Sequence, residues 1–153
     1  MTDTQITTGC CRCGQLRLTV QDAPLMTFAC HCTGCQRMTA SAFSLSAMYP
    51  EASVTIEGDA VLGGMRGELR HHFCPSCLSW VYTTAPIMGP MVNIRSTMLD
   101  DSPAQEPAFI ECWTSEKLPW AETHAAHSFE GFPAPESFGP LMAAFAQRRK
   151  SRQ

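Results

Sequence analysis

The chain has 153 residues, of which 44% are hydrophobic and 16% are charged, and its formal net charge at pH 7 is −3. This length suits one domain, and the composition is typical of a globular protein with a core rather than of a disordered chain. The small negative charge argues against a nucleic-acid binder, which needs a basic surplus to neutralise phosphates. The sequence has no apolar run long enough to cross a bilayer and a polar start, MTDTQITTG, unlike a signal peptide. We therefore expect a cytoplasmic protein that does not enter a membrane.

Short strands are the main secondary structure that the sequence predicts. Six segments are β-branched or aromatic and are bounded by Gly, Pro, Asp or Ser: residues 16–20, 53–57, 68–73, 80–84, 91–95 and 108–113. The short intervals between them leave no room for crossover helices, which favours antiparallel sheets. The segments 99–107 and 127–140 are predicted to be loops, and PLMAAFAQRRK is predicted to be a short C-terminal helix that begins at Pro140.

Cysteine is the residue type that points to a chemical function, because the chain contains nine. In a reducing cytoplasm thiols stay unpaired, and an odd number cannot all form internal disulfides, so metal ligation is the favoured use. Eight of the nine lie in three motifs, CCRCG at 10–14, CHCTGC at 30–35 and CPSC at 74–77. The Cys-x-x-Cys spacing is typical of tetrahedral zinc sites, and cysteines two residues apart on an extended segment share one face. Cys10 and Cys112 are expected to be packing thiols.

The other seven sulfurs divide into a set of four, which would enclose a structural zinc ion, and a set of three, which would leave one coordination position open. The sequence permits two divisions. The first places Cys11, Cys13, Cys74 and Cys77 in the set of four and Cys30, Cys32 and Cys35 in the set of three. The second joins Cys32 and Cys35 to Cys74 and Cys77, which leaves Cys11, Cys13 and Cys30. Loop entropy favours the first division because it keeps the compact triplet together.

In the order and spacing of its motifs the sequence resembles the family of glutathione-dependent formaldehyde-activating enzymes, which also includes centromere protein V. The resemblance rests on G-x-C-x-C-G at 9–14, C-H-C-x-x-C at 30–35, F-C-x-x-C at 73–77, STMLDD at 96–101 and LPW at 118–120. It implies a mainly β fold of tent-like antiparallel sheets around two zinc ions. It also implies the first division, with Cys11, Cys13, Cys74 and Cys77 on the structural zinc and Cys30, Cys32 and Cys35 on the catalytic one.

The resemblance covers residues 9 to 120 firmly and fades near Pro133. We therefore expect a zinc-binding β domain over residues 1–138, followed by a C-terminal helix and basic tail over 139–153. One position departs from the family pattern, in which Gly usually follows the last motif, because this chain has Leu78 there. If the end of that zinc turn requires a positive φ, Leu78 costs roughly 1 to 2 kcal/mol.

The chemistry of the open site follows from its charge. Zn²⁺ with three thiolates carries a net charge of −1, which makes it a weak Lewis acid and favours a soft sulfur ligand over hydroxide. The family resemblance implies the reaction of glutathione with formaldehyde. We thus expect a zinc-dependent carbon–sulfur lyase acting on a thiol adduct, resembling S-(hydroxymethyl)glutathione synthase, with a small-molecule thiol such as glutathione as its partner.

Two other hypotheses about the function remain open. One is a noncatalytic zinc-binding or thiol-carrier module. The other is a nucleic-acid-associated zinc protein, which only the basic tail RRKSR at 148–152 favours. Among the remaining side chains, Arg37 is a candidate to pair with a carboxylate of an anionic substrate, and Arg95 ranks below it. His31 is expected to point away from the sulfurs on either side of it.

Overall fold

In the computed structural model of the protein, residues 5–65 and 67–152 are described. They form eleven strands in two sheets, together with two α-helices and several short 3₁₀ turns. The strands are β1 Ile6–Cys10, β2 Arg17–Gln21, β3 Met26–Cys30, β4 Ser44–Pro50, β5 Val54–Glu57, β6 Val61–Gly63, β7 Arg70–Phe73, β8 Trp80–Thr84, β9 Met91–Arg95, β10 Ile110–Cys112 and β11 His127–Ser128. The helices are α1 Thr33–Thr39 and α2 Phe138–Lys150. No described helix has the length and the hydrophobicity that a bilayer crossing requires.

The smaller sheet has the strand order β1-β2-β5, and the larger has the order β11-β10-β3-β4-β9-β8-β7-β6. Neighbouring strands are antiparallel except around β10, which is parallel to both β3 and β11. The predicted mainly β fold with a short C-terminal helix is therefore confirmed, although the larger sheet is mixed rather than wholly antiparallel. The argument from short intervals applied only to strands that follow one another in sequence. It could not detect the pairing of β10 with the distant β3.

Each of the six predicted segments contains a strand, but the sequence analysis did not find β1, β3, β4, β6, β11 or helix α1. Strands β3 and β4 have the sequences MTFAC and SLSAMYP, in which Met, Ala and Ser replace most of the residues with high β-propensity. They lie in the middle of the larger sheet, where burial and pairing override local propensity. The predicted loop at 127–140 is also wrong at both ends, because it contains β11 and the start of α2.

Two hydrophobic clusters hold these elements together. The first lies around the smaller sheet and includes Leu16, Leu18, Val20, Val81, Ile94 and Leu99. The second lies under α2 and includes Met26, Phe28, Phe109, Ile110, Leu141 and Phe145. Helix α2 begins at Phe138, two residues before the predicted Pro140, which is tolerated in the first turn because backbone N–H groups there have no intrahelical partner. The division of the chain at residue 138 stays a prediction.

Gly9 fixes the approach of β1 to the segment that follows β9. It forms an isolated antiparallel bridge with Leu99, and a Cβ atom at this position would lie 2.2 Å from the carbonyl oxygen of Met98. Next to this contact, Thr8 Oγ1 donates a hydrogen bond of 2.6 Å to Asp100 Oδ2. Only glycine permits this approach, which joins the G-x-C-x-C-G and STMLDD motifs.

We expect Gly9→Ala to lower the free energy of unfolding by about 2 kcal/mol or more, because the new methyl group must displace backbone atoms. Urea denaturation measures this change. The matched control is Gly131→Ala, where nothing lies within 4 Å of the added Cβ and φ is outside the left-handed region, so its effect should stay within about 0.5 kcal/mol. Equal effects of the two substitutions would contradict the assignment of Gly9 to a close backbone contact.

Candidate functional site

The first cysteine cluster, which we call the closed cluster, consists of Cys11, Cys13, Cys74 and Cys77. Its four sulfur atoms lie within 4.8 Å of one another, with Cys11 Sγ 3.5 Å from Cys13 Sγ and Cys13 Sγ 3.7 Å from Cys74 Sγ. Four sulfurs at about 2.3 Å from a tetrahedral zinc ion lie about 3.8 Å from each other, so the donor atoms and their spacing fit zinc. The cluster joins the β1–β2 loop to the β7–β8 loop.

Both loops of the closed cluster are tight turns rather than extended strands. In the first, the Gly14 amide donates to the Cys11 carbonyl, and in the second, the Leu78 amide donates to the Cys74 carbonyl, each at 2.9 Å. Cys11 and Cys13 therefore converge through a turn, and the sequence argument that placed them on one face of an extended segment was wrong in its geometry. Hydrogen bonding from the Ser79 hydroxyl and amide lowers the pKa of Cys77 to about 5, which favours its ligand form, the thiolate.

The second cluster, which we call the open cluster, consists of Cys30, Cys32 and Cys35, whose sulfur atoms also lie within 4.8 Å of one another. Cys30 ends β3, Cys32 is the N-cap of α1, and Cys35 lies in the first turns of that helix. The Cys35 amide donates a hydrogen bond of 3.3 Å to Cys32 Sγ. The sulfurs are thus grouped as in the first of the two divisions. Cys10 is exposed and Cys112 is buried, and neither belongs to a cluster.

The three thiols of the open cluster do not share one acidity. Hydrogen bonds from Cys30 and Cys35 lower the pKa of Cys32 to about 2. Contact with Cys112 and Cys32 raises the pKa of Cys30, and contact with Cys30 and Cys32 raises the pKa of Cys35. Cys32 is therefore the thiol of the cluster that ionises most easily. A metal ion that binds all three sulfurs displaces the thiol protons that remain.

Comparison with known proteins agrees with this site. The family model described as glutathione-dependent formaldehyde-activating enzyme matches residues 6–116, a range that contains all seven clustered cysteines. The chain belongs to this family. A crystal structure of a Rhodobacter sphaeroides protein has a TM-score of 0.52 to this chain at 18% identity, over 64% of this chain and 93% of the other, which supports the fold. No curated protein matches the sequence.

The open cluster is supported by residues 111–116, which are the last residues of the region that the family model matches. His31, between two of the cysteines, is fully buried, and its Nε2 atom lies 2.8 Å from Glu111 Oε2. Farther along, Gln36 donates hydrogen bonds to the carbonyl oxygens of His31 and Glu116, and the Thr33 amide donates to the Glu116 carboxylate. Residues 111–116 therefore anchor the Cys30–Cys35 segment through the contacts of Glu111 with His31 and of Glu116 with α1.

Glu111 is a residue that the sequence analysis missed. It is only 7% exposed, and its carboxylate accepts hydrogen bonds from Lys117, Thr123 and Ser128 in addition to its contact with His31. Burial raises the pKa of this carboxyl group, but the hydrogen bonds lower it by a larger amount, so that the pKa is about 2. The only signal in the sequence is a carboxylate between Ile110 and Cys112 in an otherwise apolar strand.

We expect Glu111→Gln to lower the free energy of unfolding at pH 7 by about 2 kcal/mol, because charge-assisted hydrogen bonds to a buried carboxylate are lost. The folded-state pKa of about 2 lies below the ordinary value of 4.5. The contribution of Glu111 is therefore present above pH 4.5 and is lost as the pH falls toward 2, so the difference between the two proteins must shrink over that range. Denaturant unfolding at several pH values measures the difference.

The exposed Glu130→Gln is the control for that experiment and should leave the stability unchanged at every pH. Both proteins share the same cysteines, so subtracting their unfolding free energies removes the effect of thiolate protonation. A difference between Glu111→Gln and the wild type that stays constant from pH 7 to pH 2 would contradict the low pKa of Glu111.

Leu78 is the departure from the formaldehyde-activating family's usual pattern, and the structure places it in the left-handed region with a φ of 56°. Its side chain is 67% exposed, so packing does not compensate for this conformation. A residue with a Cβ atom pays about 1 to 2 kcal/mol there. The turn therefore has the positive φ at which Leu78 is expected to strain it, although the four sulfurs of the closed cluster still lie together.

We expect Leu78→Gly to raise the free energy of unfolding by about 1 kcal/mol, because glycine adopts a positive φ without a steric penalty. Leu78→Ala is the matched control, since it removes the exposed side chain but keeps the Cβ atom, and its effect should stay within about 0.5 kcal/mol. Guanidinium unfolding of the two variants and the wild type provides both values. Equal stabilisation by the two variants would show that the exposed leucine side chain, and not its φ angle, is unfavourable.

A pocket lies beside the open cluster, between α1 and the strands β4 and β9. Its volume is about 330 Å³, and its wall includes Met38, Phe43, Ser44, Trp80 and Arg95. The Arg95 guanidinium carbon lies 3.9 Å from the centre of a Trp80 ring, in a cation–π contact. Arg95 is 8% exposed. The sequence analysis ranked this residue below Arg37, which is exposed near the end of α1.

Proposed function

We propose that the protein is a zinc-dependent carbon–sulfur lyase that makes and breaks the adduct of a small thiol with formaldehyde, as S-(hydroxymethyl)glutathione synthase does. In the synthetic direction a carbon–sulfur bond forms between the thiol sulfur and the formaldehyde carbon, and the thiol proton ends on the former carbonyl oxygen. The observation that carries the proposal is the open cluster of three sulfurs beside a pocket, in a chain of this family.

In this proposal Cys30, Cys32 and Cys35 hold a catalytic zinc ion, while Cys11, Cys13, Cys74 and Cys77 hold a structural one. Zinc bound by three thiolates supplies a fourth position that prefers sulfur and stabilises a thiolate there. His31 and Glu111 keep the open cluster in place from behind, and the pocket admits the small molecule from the other side. Trp80 and Phe43 line that pocket and reduce the access of water.

The same chemistry supports a location in the cytoplasm. None of the nine cysteines, all of which lie within the described residues, forms a disulfide. Thiolate clusters persist as metal sites where glutathione and thioredoxin keep thiols reduced, and glutathione is itself abundant there. Residues 1–138 form the zinc-binding domain in this proposal, with 139–153 as an added helix and tail.

We expect the zinc-loaded protein to accelerate the exchange between glutathione, formaldehyde and their adduct, measured by NMR exchange spectroscopy against the spontaneous rate. Cys35→Ser should reduce the enzyme-dependent rate by at least about 100-fold, because loss of a ligand costs more than loss of a supporting hydrogen bond. Metal analysis should find two zinc ions per chain in the wild type and one in this variant.

Cys10→Ser is the control for this substitution, because Cys10 is exposed and belongs to neither cluster, so it should keep both the zinc content and the rate. Equal exchange rates with and without the protein would rule out catalysis of this reaction. If zinc stoichiometry were then still two, with a change in coordination on adding glutathione, the protein would be the noncatalytic thiol-binding module instead.

A further inference from the structure

Cys112 is a buried thiol that belongs to neither cysteine cluster but lies beside one sulfur of the open cluster. It ends β10, and its partner in the parallel pairing of β10 with β3 is Cys30. Paired residues on neighbouring strands point to the same face of a sheet and lie about 4.8 Å apart. The two cysteine side chains are therefore neighbours, although they are far apart in the sequence.

Hydrogen bonds fix both the backbone and the sulfur of Cys112 against the end of β3. The amide of His31, which follows Cys30, donates a hydrogen bond of 3.0 Å to the Cys112 carbonyl. The Cys112 thiol donates to the carbonyl oxygen of Ala29, which precedes Cys30, at a distance of 3.7 Å. Contact with Cys112 is also the largest cause of the raised pKa of Cys30. Cys112 is thus held to the chain on both sides of Cys30 and touches its thiol.

Two cysteines in this arrangement meet the backbone requirement for a disulfide. Disulfides join residues whose Cα atoms lie roughly 4.4 to 6.8 Å apart, a range that includes the spacing of paired strands. The bond can therefore form without a movement of β3 or β10. Cys112 is only 1% exposed, so an oxidant in solution does not reach it directly. Cys30 is partly exposed, and the reaction therefore begins there.

The open cluster contains other sulfur pairs that compete for oxidation. The strongest competitor is Cys32 with Cys35, which has the Cys-x-x-Cys spacing. In the metal-loaded protein, however, both of these sulfurs are ligands, as Cys30 is. Cys112 lies outside the ligand set and keeps a free thiol beside Cys30. This difference favours Cys112 as the partner of an oxidised Cys30.

We propose that Cys30 and Cys112 form a reversible disulfide under oxidation by a peroxide, which removes Cys30 from the ligands of the open cluster. The Cys30 thiolate attacks one oxygen of hydrogen peroxide, which breaks the O–O bond, forms a sulfenic acid and releases hydroxide. The Cys112 thiol then attacks the Cys30 sulfur, and the sulfenic oxygen leaves as water. Two electrons thus pass from the two sulfurs to the peroxide.

The disulfide leaves Cys32 and Cys35 as the remaining thiolates of the open cluster, fewer than the three protein ligands of a catalytic zinc site. The open cluster therefore releases its metal ion, while the closed cluster, which contains neither Cys30 nor Cys112, keeps its own. A small thiol that reduces the disulfide restores both cysteines. This inference goes beyond the proposed function, because it rests on metal binding by the open cluster and not on the lyase reaction.

The experiment measures crosslinking and metal release rather than activity. Equimolar hydrogen peroxide is added to the zinc-loaded protein, free thiols are blocked with iodoacetamide, and unreduced peptides are identified by mass spectrometry. We expect a peptide pair joined through Cys30 and Cys112, and release of about one zinc ion per chain to a metal-sensitive dye. Dithiothreitol followed by added zinc should reverse both changes.

Cys112→Ala removes the thiol that resolves the sulfenic acid. Oxidised Cys30 then reacts with a second peroxide molecule to give sulfinic acid and water, and thiols do not reduce that product. We expect dithiothreitol to recover zinc binding at the open cluster at least about 5-fold less completely in this variant than in the wild type. Cys10→Ser is the matched control, because it removes an exposed cysteine outside both clusters, and it should behave as the wild type does.

If Cys112→Ala does not fold, Cys112→Ser and the crosslink map of the wild type still decide the question. The proposal is overturned if the oxidised protein contains a Cys32–Cys35 disulfide and none at Cys112. It is also overturned if zinc is released without a crosslink to Cys112, or if Cys112→Ala recovers zinc binding as completely as the wild type.

These outcomes are separable from failure of the proposed function. A protein that forms the Cys30–Cys112 disulfide and releases zinc, but does not accelerate adduct exchange, keeps the redox site and loses the lyase assignment. A protein that accelerates adduct exchange but never joins Cys30 to Cys112 keeps the lyase assignment and loses the redox site.

Discussion

The convergence of four sulfurs in the closed cluster is the constraint on which the rest of the molecule depends. Cys11 and Cys13 come from the loop that joins two strands of the smaller sheet, and Cys74 and Cys77 come from the loop between β7 and β8 of the larger one. The sheets therefore meet at a point where a metal ion can crosslink them. Folding and metal binding are coupled in such a site, because its ligands are far apart in the unfolded chain. The first hydrophobic cluster includes Cys11 and Cys74 and surrounds this junction.

The open cluster is built on a different principle. Its three sulfurs lie within one short segment, so their proximity is local, while their orientation comes from residues far away in sequence. His31 is fixed by Glu111, and α1 is fixed by hydrogen bonds to Glu116. Next to the cluster lies the pocket whose wall includes Arg95 and Trp80. A cluster that is rigidly held by its neighbours and lies next to an accessible pocket suits a site in which one ligand position is kept for a small molecule.

The sequence predicted the parts of this site that local spacing encodes. The three cysteine motifs follow from residues close together in the chain, whereas the choice between the two divisions of their seven sulfurs rested on loop entropy and on the family resemblance. Glu111 could not be found in this way, since its contacts depend on the pairing of β10 with β3. Arg95 could not be ranked above Arg37, since its buried position depends on β9 lying beside β4. Strands β3 and β4 were not predicted from the sequence for the same reason, because their stability comes from a central position in the sheet rather than from composition.

The pairing of β10 with β3 also implies an order in which the two cysteine clusters can form during synthesis. During synthesis the closed cluster has all its ligands once Cys77 has emerged, whereas the residues that brace the open cluster, Glu111 and Glu116, emerge later. The ligand set of the closed cluster can therefore be complete on the growing chain. The open cluster gains its supporting residues only afterwards, when the sheet around it is already being completed.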